Sequence, residues 1–216
     1  MRGGVGLFFH SWVRVEARGL EHIPREGPFI LAANHSSHLD SAAVLTAVAP
    51  AIREAGRRVY IAGAADYFFN NRVKSWVFGS LCDTIPVDRN ADGMEGLRRC
   101  AQTLASGQGL LLFPEGTRSL TGEIQPFKLG VAVLALEAKS PIVPVHIENT
   151  YDLLPKGRVL VRPGVVRVTF GRPVPMGDIS EHGDFSSRYQ AYQQLTSTAQ
   201  RAVESLGKPG ASRAAS

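Results

Sequence analysis

The 216-residue chain is 44% hydrophobic and 20% charged, which excludes a disordered chain and suits one folding unit with a substantial core. Its net charge of +5 and pI near 9.5 favour an anionic partner, but there is no Lys/Arg run, zinc-finger spacing or aromatic RNA-binding motif, which argues against nucleic acid. Cys82 and Cys100 have no CxxC spacing, so a disulfide framework is excluded and a reducing compartment expected.

The start, "MRGGVGLFFHSWVRVEARG", has an apolar patch without a small-residue cleavage site and does not read as a signal peptide. No apolar stretch in the chain reaches the ~18 residues of a membrane span. "VRVEARG" (13–19) alternates like a strand, and "PREGP" reads as a turn before the apolar strand "FILAA". Asp40 stands where a helix can begin, and "SAAVLTAVAPAIREAG" is rich in helix formers, with Pro50 expected to break or kink it. "RVYIAGAA" (58–65) and "DTIPVDR" (83–89) read as strands on either side of the aromatic-rich 66–81. "DGMEGLRRCAQTLASGQG" is a helix closed by Gly107 and Gly109. "LLLFPEGTRS" (110–119) is a strand entering a polar turn, "KLGVAVLALEAKS" (128–140) a buried helix and "PIVPVHIENT" a strand. "GVVRVTFGRPVP" gives a further strand, and the last helix places Tyr192, Leu195, Ala199, Ala202 and Leu206 on one face. Strands alternating with helices imply an α/β fold with a mixed, largely parallel sheet flanked by helices.

In such folds ligands gather at the carboxyl ends of strands, where "FILAANHSSHLD" places His35, His38 and Asp40. Three readings are open. The cluster could be a metal site, a turn with Asp40 as helix N-cap, or a general base. In the last, Asp40 accepts the Nδ1 proton of His35 and frees Nε2 to deprotonate a hydroxyl. A second polar turn, Glu115–Gly116–Thr117–Arg118, ends a strand and offers a guanidinium suited to bidentate phosphate binding, or is a surface turn with a Glu–Arg pair.

Taken together, "NHSSHLD", "TIPVDR", "FPEGTRS" and "IVPVHI" resemble, in order and approximate spacing, the four blocks of the glycerolipid acyltransferase family, specifically the 1-acylglycerol-3-phosphate (lysophosphatidate) acyltransferases. The NHxxxxD and FPEGTRS blocks are the specific pair. The resemblance implies acyl transfer from acyl-CoA or acyl carrier protein to the free hydroxyl of a lysophospholipid. Carried over by position, His35 is the base and Asp40 its orienting partner. Arg89, Glu115, Gly116, Thr117 and Arg118 bind the acceptor, Pro144 shapes the acyl or donor side, and Lys128 is a further phosphate partner. His38 falls at a variable position of the block, so no metal site is expected, and no cofactor beyond the acyl donor. Without a GxSxG elbow, or a cysteine beside a histidine, direct attack by the acceptor hydroxyl is expected rather than an acyl-enzyme.

Residues 1–207 are expected to form a single acyltransferase domain, with 208–216 a disordered tail. In one respect the chain departs from the family it resembles, whose members often carry a membrane-associating helical segment ahead of the first block: here "GLFFHSW" is the sole apolar patch there, and docking is expected elsewhere. The expected location is cytoplasmic, peripheral on the membrane face. The expected docking stretch is 67–78, where Tyr67, Phe68, Phe69, Trp76 and Phe78 interleave with Arg72 and Lys74. Another acceptor, such as glycerol 3-phosphate, and a non-catalytic lipid- or carrier-binding module are the alternatives.

Overall fold

A computed structural model describes residues 12–64, 84–87, 93–155, 157–158, 160–176 and 185–208. The strands are β1 (Val13–Arg18), β2 (Phe29–Ala33), β3 (Val59–Ala64), β4 (Thr84–Val87), β5 (Gly109–Leu112), β6 (Ile142–Glu148) and β7 (Gly164–Phe170). The α-helices are α1 (Leu39–Glu54), α2 (Gly93–Ala105), α3 (Gly130–Glu137), the short α4 (Thr150–Leu153) and α5 (Phe185–Leu206). The strands form one seven-stranded sheet in the order β1-β7-β6-β2-β5-β3-β4. Among the described residues every pairing of these strands is parallel except β6 with β7, the mixed, largely parallel sheet expected from the alternation of elements.

β2 lies at the centre of this order, and all five of its residues are buried. Its side chains alternate between two cores, as a strand's period of two requires. Phe29, Leu31 and Ala33 join the layer under α1, with Ala43, Val44, Ala47 and Val48. Ile30 and Ala32 face the other layer, built from Leu104 of α2, Val131 and Ala135 of α3, and Leu195 and Ala199 of α5. α1 therefore covers one face of the sheet and α2, α3 and α5 the other.

Several local expectations are corrected. Pro50 does not end α1, which continues to Glu54. Ile52, beyond the proline, still packs into the core with Val48, and that burial offsets the missing hydrogen bond. The helix stops at Gly56 (φ 63°), where Gly56 N–H bonds Arg53 O and Arg57 N–H bonds Ile52 O, a left-handed residue closing two carbonyls. Gly107 (φ 80°) closes α2 in the same way through Leu104 O and Thr103 O. Gly109 does not share that role: it opens β5, and a Cβ there would stand 2.4 Å from Phe29 Cζ. On α5 the face read from periodicity omits Val203, which is fully buried beside Leu195 and Ala199.

Candidate active site

β2 delivers the chain to the edge of the site, and the residue that follows it continues the sheet without being a strand. Asn34 donates from Nδ2 to Ile147 O (3.0 Å) and accepts at Oδ1 from Ile147 N–H (2.7 Å). A side-chain amide thus replaces one peptide of the β2–β6 ladder, and it is buried. The main chain is then free to turn into the next residue, His35.

His35 Nδ1 lies 2.8 Å from Asp40 Oδ2, and Asp40 is fully buried. The same oxygen accepts the backbone N–H groups of Ser36 (2.7 Å) and Ser37 (2.8 Å). Asp40 is not the N-cap of α1. That position is His38, and Asp40 sits in the first turn with its carboxylate folded back over the preceding loop. Negative charge there is favoured by the helix dipole and by the N–H donors. With Nδ1–H directed at the carboxylate, Nε2 carries the lone pair. The ring is held flat by stacking on Phe113, with centroids 4.0 Å apart at 20°, and a fifth of the His35 side chain remains exposed. This geometry fixes which ring nitrogen can accept a proton.

The loop between His35 and α1 is tied to the far side of the molecule. Ser37 Oγ donates to Leu154 O (2.7 Å), and the Ser36 and Thr150 hydroxyls lie 3.1 Å apart.

The second turn is built by sequence chemistry. Gly116 N–H bonds Phe113 O (3.0 Å) around Pro114 and Glu115, with proline second and glycine fourth as a tight turn prefers. Gly116 is left-handed (φ 73°), and a Cβ would lie 2.7 Å from Lys128 Nζ. Only glycine lets the lysine cross the turn this closely. Thr117 is exposed.

Glu115 faces inward and is 3% exposed. Its Oε1 accepts His35 N–H (2.7 Å) and its Oε2 accepts Gln125 N–H (3.0 Å). Ser119 N–H, two residues past Thr117, donates to His35 O (2.8 Å). The two motifs are therefore stitched together through the backbone of His35 on both sides. Burial pushes the Glu115 carboxyl up to about 7; the two N–H donors oppose the rise and the nearby Asp40 charge adds to it.

Arg118 donates through NH1 to His38 Nε2. A guanidinium only donates, so His38 accepts as a neutral imidazole with its proton on Nδ1. His38 faces a cation here, and it does not share Asp40 with His35. Among the described residues no group of three or more His, Cys, Asp or Glu side chains is placed to hold a metal ion.

Of the residues singled out from sequence, His35, Asp40, Glu115, Gly116, Arg118 and Lys128 thus gather around the end of β2. Arg89 lies outside the described residues, as does the aromatic stretch 67–78. Pro144 sits within β6, opposite Ala32 of β2. Sequence reasoning missed Asn34, Phe113 and the contact of His38 with Arg118. Phe113 could have been found as the residue that leads the PEGT turn. The partners of Asn34 and His38 lie 113 and 80 residues away, beyond the reach of any local signal.

The sequence pattern of the Acyltransferase family matches residues 14–148. The chain is 32% identical over 165 residues to the human 1-acyl-sn-glycerol-3-phosphate acyltransferase alpha, covering 76% of this chain and 56% of that protein. It is 27% identical over 172 residues to the chloroplastic 1-acyl-sn-glycerol-3-phosphate acyltransferase BAT2 of Brassica napus, covering 78% and 47%. The chain spans about half the length of these curated relatives. The crystal structure of the 1-acyl-sn-glycerophosphate (LPA) acyltransferase PlsC from Thermotoga maritima superposes with a TM-score of 0.67 at 30% identity, over 94% of this chain and 75% of that one.

Proposed function

The chain belongs to the acyltransferase family, and from that premise we propose that it transfers a fatty acyl group to the free hydroxyl of 1-acyl-sn-glycerol 3-phosphate, giving phosphatidate. The donor is acyl-CoA or acyl carrier protein. The observation that carries the reading is the His35–Asp40 pair, oriented at 2.8 Å and held beside the Glu115–Arg118 turn. Curated relatives bearing the acceptor's name support the substrate.

In the proposed reaction His35 Nε2 takes the proton of the acceptor hydroxyl as its oxygen attacks the thioester carbonyl carbon. Asp40 stabilises the imidazolium that forms. Collapse of the tetrahedral intermediate breaks the C–S bond, and His35 returns the proton to the leaving thiolate. A thioester is already activated, so this route needs neither a metal nor another cofactor. Arg118 and Lys128, with Arg89, bind the acceptor phosphate, and Gly116 and Thr117 shape that side of the site. Glu115 has both oxygens engaged by backbone N–H groups, so we assign it to positioning: it holds His35 and the turn in register.

The lipid acceptor makes a membrane surface the natural partner. Among the described residues no helix is long and apolar enough to cross a membrane, and we propose peripheral association on the cytoplasmic face. The test is incubation of the purified protein with acyl-CoA and a panel of lysolipids and glycerol 3-phosphate, with products identified by mass spectrometry. Phosphatidate is expected as the main product. His35→Ala should lower its formation by roughly 10²–10⁴-fold, the usual contribution of a general base. Full activity in that variant, or a product from a different acceptor alone, overturns the assignment.

A further inference from the structure

The end of the sheet at which β2 stops carries exposed apolar side chains that neither core uses. β6 runs with β2 and against β7, and β1 runs with β7. The starts of β1 and β7 therefore lie at the end where β2 and β6 finish, on the side of His35. They also overshoot it. Phe170 is level with Val145, and Val145 with Ala33, the last residue of β2. β7 begins at Gly164, which at ~3.3 Å per residue places its start roughly 20 Å further along.

Trp12, just before β1, is 51% exposed at this projecting end, and Leu160, just before β7, is 82% exposed. The two segments are joined: Trp12 Nε1 donates to Val161 O (3.0 Å), and Gly164 N–H to Trp12 O. They are also tied to the site. Arg162 N–H bonds Leu153 O, next to the Leu154 carbonyl that holds Ser37. Tyr151 of α4 donates to the carbonyl of Leu120 (2.8 Å), which is itself 69% exposed and follows Ser119. Trp12 and Leu160 therefore stand at one projecting end, and the exposed Leu120 is linked to it through α4. Arg14, Arg158 and Arg162 are exposed around it. Arg14 lies 3.5 Å from Glu16, and Asp152 is an exposed acid on α4.

We propose that this rim, Trp12, Leu120 and Leu160 with Arg14, Arg158 and Arg162, is a docking surface for a bilayer rich in anionic lipids, and that it turns the His35 end of the sheet toward the membrane. The inference rests on the reading of the acceptor as a lipid, and it is drawn from described residues alone, the stretch 67–78 lying outside them. Tryptophan favours the headgroup layer, an exposed leucine gains by leaving water, and arginines are attracted by the anionic leaflet. Single exposed apolar residues are ordinary; here Trp12 and Leu160 lie on two joined segments at a projecting end, with three arginines exposed around them, and those segments are connected by hydrogen bonds to the loop that carries His35. An acidic carrier protein would also meet the arginines, but the apolar tips favour a medium into which side chains can insert.

The experiment measures co-sedimentation of the full chain with phosphatidylcholine vesicles, with and without phosphatidylglycerol. Alongside it runs acyl transfer to a short-chain, water-soluble lysophosphatidate. The parent should bind the anionic vesicles, less so in high salt. Arg158→Gln with Arg162→Gln should weaken partitioning about 30-fold, given about 1 kcal/mol for each arginine near an anionic surface. Leu160→Ser, at a position too exposed to support the fold, should weaken it several-fold, and Trp12→Ser is read only where its melting curve matches the parent. Turnover of the soluble acceptor should be unchanged in all of them. Parent-like vesicle binding by the arginine pair and by Leu160→Ser overturns the docking surface, whatever the enzyme turns over. So does a defect confined to carrier-protein-dependent turnover. A loss of vesicle binding in a chain with no acyl transfer to any lysolipid leaves the surface standing and removes the functional reading instead.

Discussion

Glu115 shows how a single charged side chain can act as a clamp in space. It sits in a polar turn, yet its two oxygens join His35 N–H to Gln125 N–H inside the protein. The consequence is a pH dependence with a definite sign. Its folded value of about 7 lies above its free value of 4.5. Between the two, the folded chain holds a proton that the unfolded chain has released, so this group's contribution to stability falls as pH rises from 4.5 to about 7. Glu115→Gln cannot titrate. It should be less stable at every pH, because one amide N–H₂ now opposes a backbone N–H. The stability gap to the parent should nevertheless narrow as pH rises through that window, which chemical denaturation at pH 5 and pH 7.5 would measure. A constant gap would show that the carboxyl titrates outside the window.

Among the elements, the glycine that opens β5 and the lysine that ends α3 make opposite demands. Gly109 lies between Phe29 of β2 and Val59 of β3, and its missing side chain is filled by the Phe29 ring. Gly109→Ala drives a methyl into a fully buried ring, and overpacking of this kind costs about 1–3 kcal/mol. The melting temperature should fall, with little change in turnover at permissive temperature. α3 ends like α1 and α2, with Lys139 N–H on Leu136 O and Ser140 N–H on Ala135 O. Here, however, the left-handed position (φ 46°) holds a lysine. Lys139→Gly relieves the Cβ clash at some cost in chain entropy. The net gain should be about 0.5–1 kcal/mol, read as a higher denaturant midpoint with an unchanged m-value. A lower midpoint would mean that contacts of the lysine side chain outweigh the backbone strain.

At the scale of the whole molecule, the C-terminal helix and the sheet meet at a half-buried imidazole. His146 of β6 lies under Gly207, just past α5, where a Cβ would come within 2.6 Å of Nε2. Burial holds its pKa below the ordinary 6.5, with Glu148 pulling the other way. As pH falls through 6.5 the unfolded chain takes up this proton first, so stability is lost on the acid side. His146→Gln should therefore lose less stability than the parent between pH 7 and pH 5.5. An acid-side loss equal to the parent's would remove His146 from the account. Glu115 and His146 thus weaken the fold in opposite directions of pH.

Much of the molecule was already written in local chemistry. Alternating and continuous apolar runs gave the strands, and the spacing of Ala, Leu and Val gave the helices, because burial acts on side chains at fixed periods. His35 and Asp40 are five residues apart, and Pro114–Glu115–Gly116 is a turn by composition, so both halves of the candidate site were legible without coordinates. What joins them could not. That Glu115 faces inward, that His38 meets Arg118, that Asn34 completes a β ladder and that Phe113 stacks on the imidazole all depend on bringing β2, β5 and β6 side by side. Likewise Pro50 could not be judged from sequence, because the burial of Ile52 that outweighs it belongs to the packed core. Local sequence sets what each segment can do. Contacts between residues far apart in the chain decide which of those options the folded protein uses, because only they exclude water and pair the buried polar groups.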